Sequence, residues 1–319
     1  MMRVAGQPRD PGAGVLAHQM LVFDSDDELA TVAGSFAAEG VEAGDRVLCV
    51  VAGANEAVLR EALGAPAAER VQFADAAHWY REPAWALAGC GRCVADHAGA
   101  GRVRILGEPT GWRRSLSGVS EWHRVDAAAN VVFHDAPLAL LCLYDLRQLD
   151  AAFVDQARRT HPQSRDAGGT RPNGDYVDPV AFAADCDRDE LPQPDWATWC
   201  TVTAERLRDS RDLVWEIGLL LGMPEQHIRD LALASYEVAA NAVEHGGGIA
   251  HQRAWAADGE LVCEVRDHGT GIGDAFAGFH PPRTQARQGR GLWLARQLCG
   301  LVEIRSDMAG TTVRLHMRR

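Results

Sequence analysis

The sequence contains no lysine: its 32 basic residues are all arginine, and 44 acidic residues leave a formal net charge of −12. Any protein cation on a phosphate must therefore be arginine or histidine. The acidic balance argues against nucleic acid as the main partner, since that binding requires basic side chains on the phosphates. A phosphate-binding loop of the G-x-x-x-x-G-K-[ST] type is also excluded, and the loop at 52–56 reads AGANE. We therefore predict no nucleotide at that loop.

Long apolar segments are missing as well. No run approaches the ~20 residues of a membrane span, and the first residues, MMRVAGQPRDPGAG, lack the apolar core of a signal peptide. We expect a cytoplasmic protein without membrane contact. The eight cysteines are scattered through strand-like and helical contexts, as expected of reduced thiols. Cys90 and Cys93 have metal-like spacing with His97 beyond them, but no second C-x-x-C follows, so a zinc or redox role is disfavoured.

One predicted helix, from Pro224 to about His245, organises the C-terminal part of the chain. Residues at helical spacing define one buried face: Ile228, Leu231, Ala232, Ser235, Val238, Ala239 and Ala242. Glu237, Asn241 and His245 follow each other at intervals of four and form a polar stripe beside that face. Taken alone, such a stripe is typical of a solvated helix surface.

Three further blocks change this interpretation. A strand-like segment ends in Asp267-His268-Gly269-Thr270-Gly271-Ile272, Gly289-Arg290-Gly291-Leu292 opens an apolar helix, and Gly310-Thr311 begins the last strand. Together with Glu237, Asn241 and His245, these blocks resemble the N box, the two glycine boxes and the closing G-T-x-x-x-L of Bergerat-fold (GHKL) ATPases. Four blocks in this order are a far more specific signal than any one of them. The resemblance implies an α+β sandwich.

The resemblance also implies ATP and Mg²⁺ as cofactors, and the residue types suit these roles. Asn241 offers a hard amide oxygen to Mg²⁺, Asp267 can accept a hydrogen bond from the adenine amine, and Glu237 is the candidate catalytic base. Arg287 and Arg290 are the nearest cations for the phosphates. The predicted ATP-binding residues are Asn241, His245, Asp267, Gly269, Gly271, Ile272, Gly289, Arg290, Gly291, Leu292 and Thr311.

Several GHKL classes fit poorly. Gyrase, the Hsp90 chaperones and the mismatch-repair ATPases are larger and use a lysine from a transducer domain. A sensor histidine kinase needs a phospho-acceptor histidine on a helix hairpin before the ATPase domain. The helix predicted at Ala204–Leu221 has no histidine, and His227 lies at the start of the N-box helix.

The chain instead resembles the anti-sigma-factor serine protein kinases. Two features carry this resemblance: the N box has Ala242 after Asn241, and the interval between the glycine boxes, 274–288, is short. Members bind a sigma factor or phosphorylate a STAS-domain antagonist, which implies these partners, and a homodimer is a further expectation. Two alternatives stay open. One is a nucleotide-binding switch without turnover that acts by partner capture, and the other is an atypical histidine kinase with a separate acceptor.

The N-terminal half alternates short strands with helices, which predicts an α/β domain with a mainly parallel sheet. It resembles the MEDS sensory domain, a degenerate relative of RecA/KaiC-type domains. The matching features are His18, the turn Gly40–Gly44, Gly107-Glu108 with Trp112, Cys142-x-Tyr144-Asp145 and Thr160-His161-Pro162. This resemblance implies a sensory role with a small-molecule ligand.

Six polar residues lie near predicted strand ends, where open α/β sheets bind ligands: His18, Glu108, Cys142, Tyr144, Asp145 and His161. They could line a sensory pocket, bind a metal through His18, Cys142 and His161, or serve only packing and capping. Residues 165–196 are rich in Asp, Gly and Pro and are predicted to be a linker or an ordered surface connection. The predicted organisation is therefore a sensory domain at 15–164, this linker, and an ATP-binding kinase domain at 197–319.

Overall fold

The computed structural model describes residues 15–110, 119–189, 191–280 and 290–319. They divide into two compact units that are not contiguous in sequence. Unit 1 comprises 15–80, Ala88–Thr110 and Ala129–Val177, and unit 2 comprises Arg81–Leu87, 119–128 and the described part of Asp178–Arg319. The compact units therefore differ from the predicted contiguous ranges.

Unit 1 is built on a seven-stranded sheet within the described ranges. Its strands are β1 (Ala17–Phe23), β2 (Arg46–Val51), β3 (Val71–Asp75), β4 (Val103–Gly107), β5 (Leu138–Asp145), β6 (Gln163–Asp166) and β7 (Gly169–Pro172). Their order is β3-β2-β4-β5-β1-β6-β7. The neighbours are parallel apart from the antiparallel β6–β7 hairpin. This confirms the predicted α/β domain with a mainly parallel sheet. The central strands have continuous apolar sequences because both faces of the sheet are covered.

Seven helices are described in this half of the chain: α1 (Asp26–Ala43), α2 (Gly53–Leu63), α3 (Ala65–Ala68), α4 (Ala76–Trp79), α5 (Pro83–Asp96), α6 (Val119–Val132) and α7 (Ala151–Thr160). Ser25 caps α1 by accepting a hydrogen bond from the Glu28 N–H. Leu29, Val32 and Phe36 of α1 pack with β1, β2 and β5 in one apolar core. The early parts of α5 and α6 belong to unit 2.

Unit 2 is an antiparallel sheet packed against helices. Its elements are α8 (Pro179–Asp187), β8 (Thr198–Thr203), α9 (Leu207–Leu220), α10 (Glu225–His245), β9 (Ile249–Ala257), β10 (Glu260–Arg266), α11 (Arg290–Leu298), β11 (Leu301–Asp307) and β12 (Gly310–Arg318). The strand order is β11-β12-β10-β9-β8, with antiparallel neighbours. The predicted apolar face of α10 is buried in the core, so the predicted α+β sandwich is confirmed.

The segment 165–196 contains more regular structure than the predicted linker. Strands β6 and β7 form a hairpin whose turn is completed by Gly169 at φ 107°. Asp178 begins α8 by accepting hydrogen bonds from the N–H groups of Val180 and Ala181, with Pro179 in the first turn. The Asp, Gly and Pro residues that suggested a linker are therefore turn and capping residues.

No helix among the described residues combines the length and the apolar character needed to cross a membrane.

A buried cluster of charges joins α6 to α11 and β11 within unit 2. The carboxylate of Glu121 lies 3.1 Å from Arg124, 3.5 Å from Arg305 and 3.6 Å from Arg296. Arg124 also pairs with Asp187 at 2.7 Å. Burial lowers the pKa of Arg296 to about 10, and the nearby Glu121 carboxylate opposes this shift. Glu121 is therefore the counter-ion that keeps several buried guanidinium groups charged.

A second buried ion group lies in the sheet. His316 on β12 is 2.9 Å from Glu303 and 3.0 Å from Glu260. Burial alone would lower the pKa of His316, but the hydrogen bonds to Glu260 and Glu303 outweigh it and raise the pKa to about 9. The imidazolium is therefore the form that the folded sheet favours.

Replacing Glu121 with alanine is expected to lower the free energy of unfolding by about 3–5 kcal/mol, because buried guanidinium groups lose their counter-ion. The matched control is Glu225→Ala, which removes a carboxylate from a pair with Arg229 whose side chains are 63% and 60% exposed. That control should cost about 1 kcal/mol or less. Urea unfolding of both variants measures the difference, and equal losses would contradict a structural role for the cluster.

The ion group at His316 predicts a pH dependence. A histidine with a raised pKa stabilises the fold fully below its unfolded pKa, and this contribution is lost as pH rises through the folded value. The stability of the wild type relative to His316→Gln should therefore fall between pH 6.5 and about 9, by an amount on the order of 3 kcal/mol. Urea unfolding at several pH values measures this difference. A difference that does not change across this window would refute the assignment.

Candidate functional site

The polar edge of α10 carries the predicted catalytic base and magnesium ligand. Glu237 and Asn241 lie one turn apart, and both are half-buried at the margin of the core-facing stripe. His245 is the last residue of the helix and is exposed. The helix ends there because Gly247 has a left-handed backbone at φ +93° and the Gly248 N–H bonds to the Val243 carbonyl. The stripe is thus only partly solvated, unlike an ordinary helix surface.

Asp267 is buried directly after β10. Its backbone N–H donates to the Thr311 carbonyl at 2.9 Å, and its Oδ1 accepts from the N–H groups of Gly269 at 2.8 Å and Thr311 at 3.3 Å. Among the described residues no donor is bonded to Oδ2. A carboxylate fixed through one oxygen and open at the other suits recognition of an exocyclic amine.

The first glycine box is connected to the last strand through a hydroxyl that sequence reasoning missed. Ser306 Oγ accepts a hydrogen bond from the Ile272 N–H at 2.7 Å and lies 3.2 Å from Thr311 Oγ1. Gly271 has φ +77°, and a Cβ there would lie 2.3 Å from the Asp307 carbonyl oxygen. Only glycine fits this left-handed and crowded position. No motif marked Ser306, because its role depends on the pairing of β11 with β12.

Helix α11 brings the second glycine box onto α10. Gly291 is buried, and a Cβ there would lie 2.6 Å from Asn241 Nδ2 and 3.4 Å from Glu237 Cβ. The neighbouring Leu292 packs on the core, while Arg290 is exposed at the start of the helix. The predicted site residue Gly289 and the candidate cation Arg287 lie outside the described residues.

These contacts place three of the four predicted blocks around the polar edge of α10. The backbone of Gly291 lies close to Asn241. The Asp267 loop lies at the C-terminal end of the same helix, since a Cβ on Gly246 would lie 2.3 Å from Asp267 Cβ. The amide oxygen, the open carboxylate oxygen and the N-terminus of α11 supply the groups that a magnesium–adenine nucleotide needs. The residues therefore fit ATP.

Family comparison agrees with this geometry. Residues 17–162 match the model "MEDS: MEthanogen/methylotroph, DcmR Sensory domain", and residues 200–317 match "Histidine kinase-like ATPase domain". The chain joins a MEDS domain to a histidine kinase-like ATPase domain. The predicted family resemblances are thus confirmed. Among curated proteins, none matches the chain.

Two solved structures show partial similarity to the chain. The RsbU and RsbW domains of Rv1364c from Mycobacterium tuberculosis are 24% identical with a TM-score of 0.28, over 40% of this chain and 32% of that chain. The histidine kinase domain of the blue-light activated kinase EL346 from Erythrobacter litoralis is 15% identical with a TM-score of 0.24, over 51% and 79% of the two chains. The chain therefore spans about a third of the first of these structures.

The MEDS domain brings together four of the six residues predicted to line a sensory pocket. His18, Cys142 and His161 form a compact group with ligand atoms within 4.8 Å of one another. The Tyr144 ring is next to them, with its centroid 5.6 Å from that of His161. Trp112, which belonged to the predicted pattern, lies outside the described residues.

Glu108, the fifth residue, is bonded at the start of α2. Its Oε2 accepts from the Ala52 N–H at 2.8 Å and from Asn55 Nδ2 at 2.9 Å. A carboxylate thus lies at the helix N-terminus where a P-loop would bind phosphate. Asp145, the sixth, accepts hydrogen bonds from Arg147 and Gln148. Burial would raise the pKa of Asp145, but these hydrogen bonds outweigh it and lower the pKa.

The C-x-x-C pair does not form a three-ligand group with His97. Burial raises the pKa of Cys90 to about 12, with a smaller contribution from Cys93 in the same direction. Cys93 is half-buried, and burial also raises its pKa. Both groups therefore favour the thiol form, which is a poor nucleophile and a poor metal ligand.

Gly291→Ala tests the packing of α11 on α10. The added methyl should displace Asn241 and weaken Mg-ATP binding by about tenfold or more, which corresponds to about 1.4 kcal/mol. Gly273→Ala is the matched control. Gly273 follows the first glycine box, and no atom lies within 4 Å of a Cβ built there. Calorimetric titration with Mg-ATP gives both affinities. An unchanged affinity in Gly291→Ala would refute the site geometry.

Proposed function

We propose that the ATPase domain is an ATP- and Mg²⁺-dependent protein serine/threonine kinase of the anti-sigma type. The observation that carries the proposal is the contact between Gly291 and the half-buried Glu237 and Asn241. Glu237 lies one helical turn from Asn241, and its Cβ is near Gly291 at the start of α11, which supports its role as the base. Such an arrangement suits transfer of a terminal phosphoryl group to a hydroxyl.

In the proposed reaction, the Glu237 carboxylate takes the proton of a serine or threonine hydroxyl. The hydroxyl oxygen then forms a bond to the γ-phosphorus while the bond to the β-phosphate oxygen breaks, which leaves ADP. Mg²⁺ held by the Asn241 amide oxygen would neutralise charge that develops on the phosphates. Arg290 is exposed at the start of α11 and is available as a further cation.

The residues favour a serine or threonine acceptor over histidine. Helix α9, which precedes α10, contains no histidine. His227 belongs to α10 itself, where its Nδ1 lies 3.0 Å from the Arg318 carbonyl oxygen. That contact holds the imidazole against the end of β12, in a context unlike the hairpin of a sensor histidine kinase.

The proposed partners are a sigma factor and a STAS-domain antagonist, and the proposed setting is the cytoplasm. The MEDS domain would bind a small-molecule ligand, and that binding would bias partner binding or kinase activity. A ligand can have this effect only if it binds two conformations of the protein unequally. Homodimerisation stays a prediction.

Glu237→Gln should keep Mg-ATP binding but lower phosphoryl transfer to STAS-domain proteins of the same genome by about 10²–10⁴-fold, the usual contribution of a general base. Glu244→Gln is the control, because Glu244 is exposed on the same helix. Transfer is measured with radiolabelled ATP and calorimetry gives the affinity. The chemical stability of the product decides the acceptor, since phosphohistidine is acid-labile and phosphoserine is not.

Each other outcome identifies a different function. ATP binding without transfer in the wild type would support the switch that acts by partner capture. An acid-labile product would support the atypical histidine kinase. Undiminished transfer in Glu237→Gln would refute the assignment of the base.

A further inference from the structure

Two strands and a helix end bring His18, Cys142 and His161 together inside the MEDS domain. Strands β1 and β5 are parallel neighbours, with His18 opposite Leu140 and Met20 opposite Cys142. Cys142 is two residues beyond the partner of His18, so both side chains project from the same face of the sheet. His161 follows directly after α7, and its ring centroid is 4.2 Å from that of His18.

The spacing of the ligand atoms suits one tetrahedral metal ion. His18 Nε2 lies 3.6 Å from Cys142 Sγ. Metal–nitrogen and metal–sulfur bonds of about 2.05 and 2.3 Å at a tetrahedral angle place N and S about 3.6 Å apart. One ligand atom from each of the three residues lies within 4.8 Å of the others.

The neighbours of both imidazoles orient them as metal ligands. Asn130 Nδ2 donates to the Thr160 carbonyl at 2.8 Å, which leaves Asn130 Oδ1 to accept from His18 Nδ1 at 3.0 Å. His161 Nδ1 lies 2.7 Å from the Ala157 carbonyl oxygen, which can only accept. Both rings therefore carry their proton on Nδ1 and their lone pair on Nε2, the arrangement found in metal-ligating histidines.

Solvent reaches the group through its thiol. His18 and His161 are buried, whereas Cys142 is half-buried. An ion or small ligand can therefore approach the three ligand atoms from the side of Cys142.

We propose that His18, Cys142 and His161 bind one Zn²⁺ ion, or a similar thiolate- and imidazole-preferring metal ion, inside the MEDS domain. Three protein ligands leave a fourth position that a small exogenous ligand can take. On binding, the S–H bond of Cys142 breaks, a Zn–S bond forms and one proton goes to solvent. Asn130 is a positioning residue.

The first experiment uses the full chain, stripped with a chelator and titrated with Co²⁺ and then Zn²⁺. One Co²⁺ per chain should bind, with the visible bands of a tetrahedral ion and a thiolate-to-cobalt charge-transfer band. Co²⁺ binding should release about one proton per ion bound, and Zn²⁺ should then displace Co²⁺ without further proton release, because the thiolate is already formed. No binding, or an octahedral spectrum without the thiolate band, would overturn the proposal. None of these readouts depends on nucleotide binding, so they stand apart from a test of the kinase.

Cys142→Ser should abolish the charge-transfer band. Cys93→Ser is the matched control, because Cys93 is a half-buried thiol of the same unit and belongs to the C-x-x-C pair. Loss of the band in Cys93→Ser but not in Cys142→Ser would move the site to the C-x-x-C pair and overturn the proposal.

Asn130→Leu tests the positioning role. It should weaken Zn²⁺ affinity by about 10–100-fold at unchanged stoichiometry, as expected when the hydrogen bond behind a ligating histidine is lost. Asn130→Asp keeps an acceptor for His18 Nδ1 but loses the donor to the Thr160 carbonyl, so it should restore part of the affinity. Equal affinities in all three proteins would refute this role.

An experiment on the wild type tests the same site if the variants fail to fold. Zn²⁺ should slow alkylation of Cys142 in the wild type, mapped by peptide mass spectrometry, and should leave the rate at Cys93 unchanged. Equal effects at both cysteines would contradict the assignment.

Discussion

The packing of α11 on α10 determines the geometry of the candidate ATP site, because the backbone of Gly291 lies directly on Asn241. The other end of α11 depends on a buried charge. Arg296 donates to the Val302 carbonyl, stacks on the Phe279 ring at 3.8 Å and faces Glu121. A buried guanidinium without a carboxylate would be costly, so Glu121 stabilises the position of α11 through Arg296. The site therefore depends on a residue that contacts no part of it and precedes it by more than a hundred positions in the chain.

Short-range sequence patterns predicted most of the ATPase domain. The buried stripe of α10 and the polar stripe beside it follow from helical periodicity. The turn after β10 follows from the first glycine box, in which Asp267 precedes Gly269 and Gly271. The patterns missed Glu121 and Ser306, because their roles depend on pairing between distant elements. The short strands and the helix within residues 165–196 were not predicted individually, because turn and cap residues outnumber apolar ones there. Asp178-Pro179 was an N-terminal helix signal that composition concealed.

The parallel sheet of the MEDS domain separates residues that the sequence grouped together. Six polar residues near strand ends suggested one pocket, yet only strand register decides which of them share a face. Cys142 and Tyr144 lie two positions apart on β5 and project to the same side as His18 on β1. Asp145 alternates to the other side and is bonded to Arg147. Composition and motif could not resolve this, since the offset between β1 and β5 is a property of the folded sheet.

Glu108 makes the loop after β2 an unfavourable place for a phosphate. Its carboxylate accepts hydrogen bonds at the N-terminus of α2, where positive backbone dipoles would otherwise attract a phosphate. A phosphate there would have to displace this carboxylate or stand beside a like charge, and the chain offers no lysine to offset either cost. The position of Glu108 is therefore consistent with the prediction of no nucleotide at this loop. Ligand chemistry in this domain is better supported near His18, where two imidazoles and a thiol favour a thiolate- and imidazole-preferring cation over a phosphate.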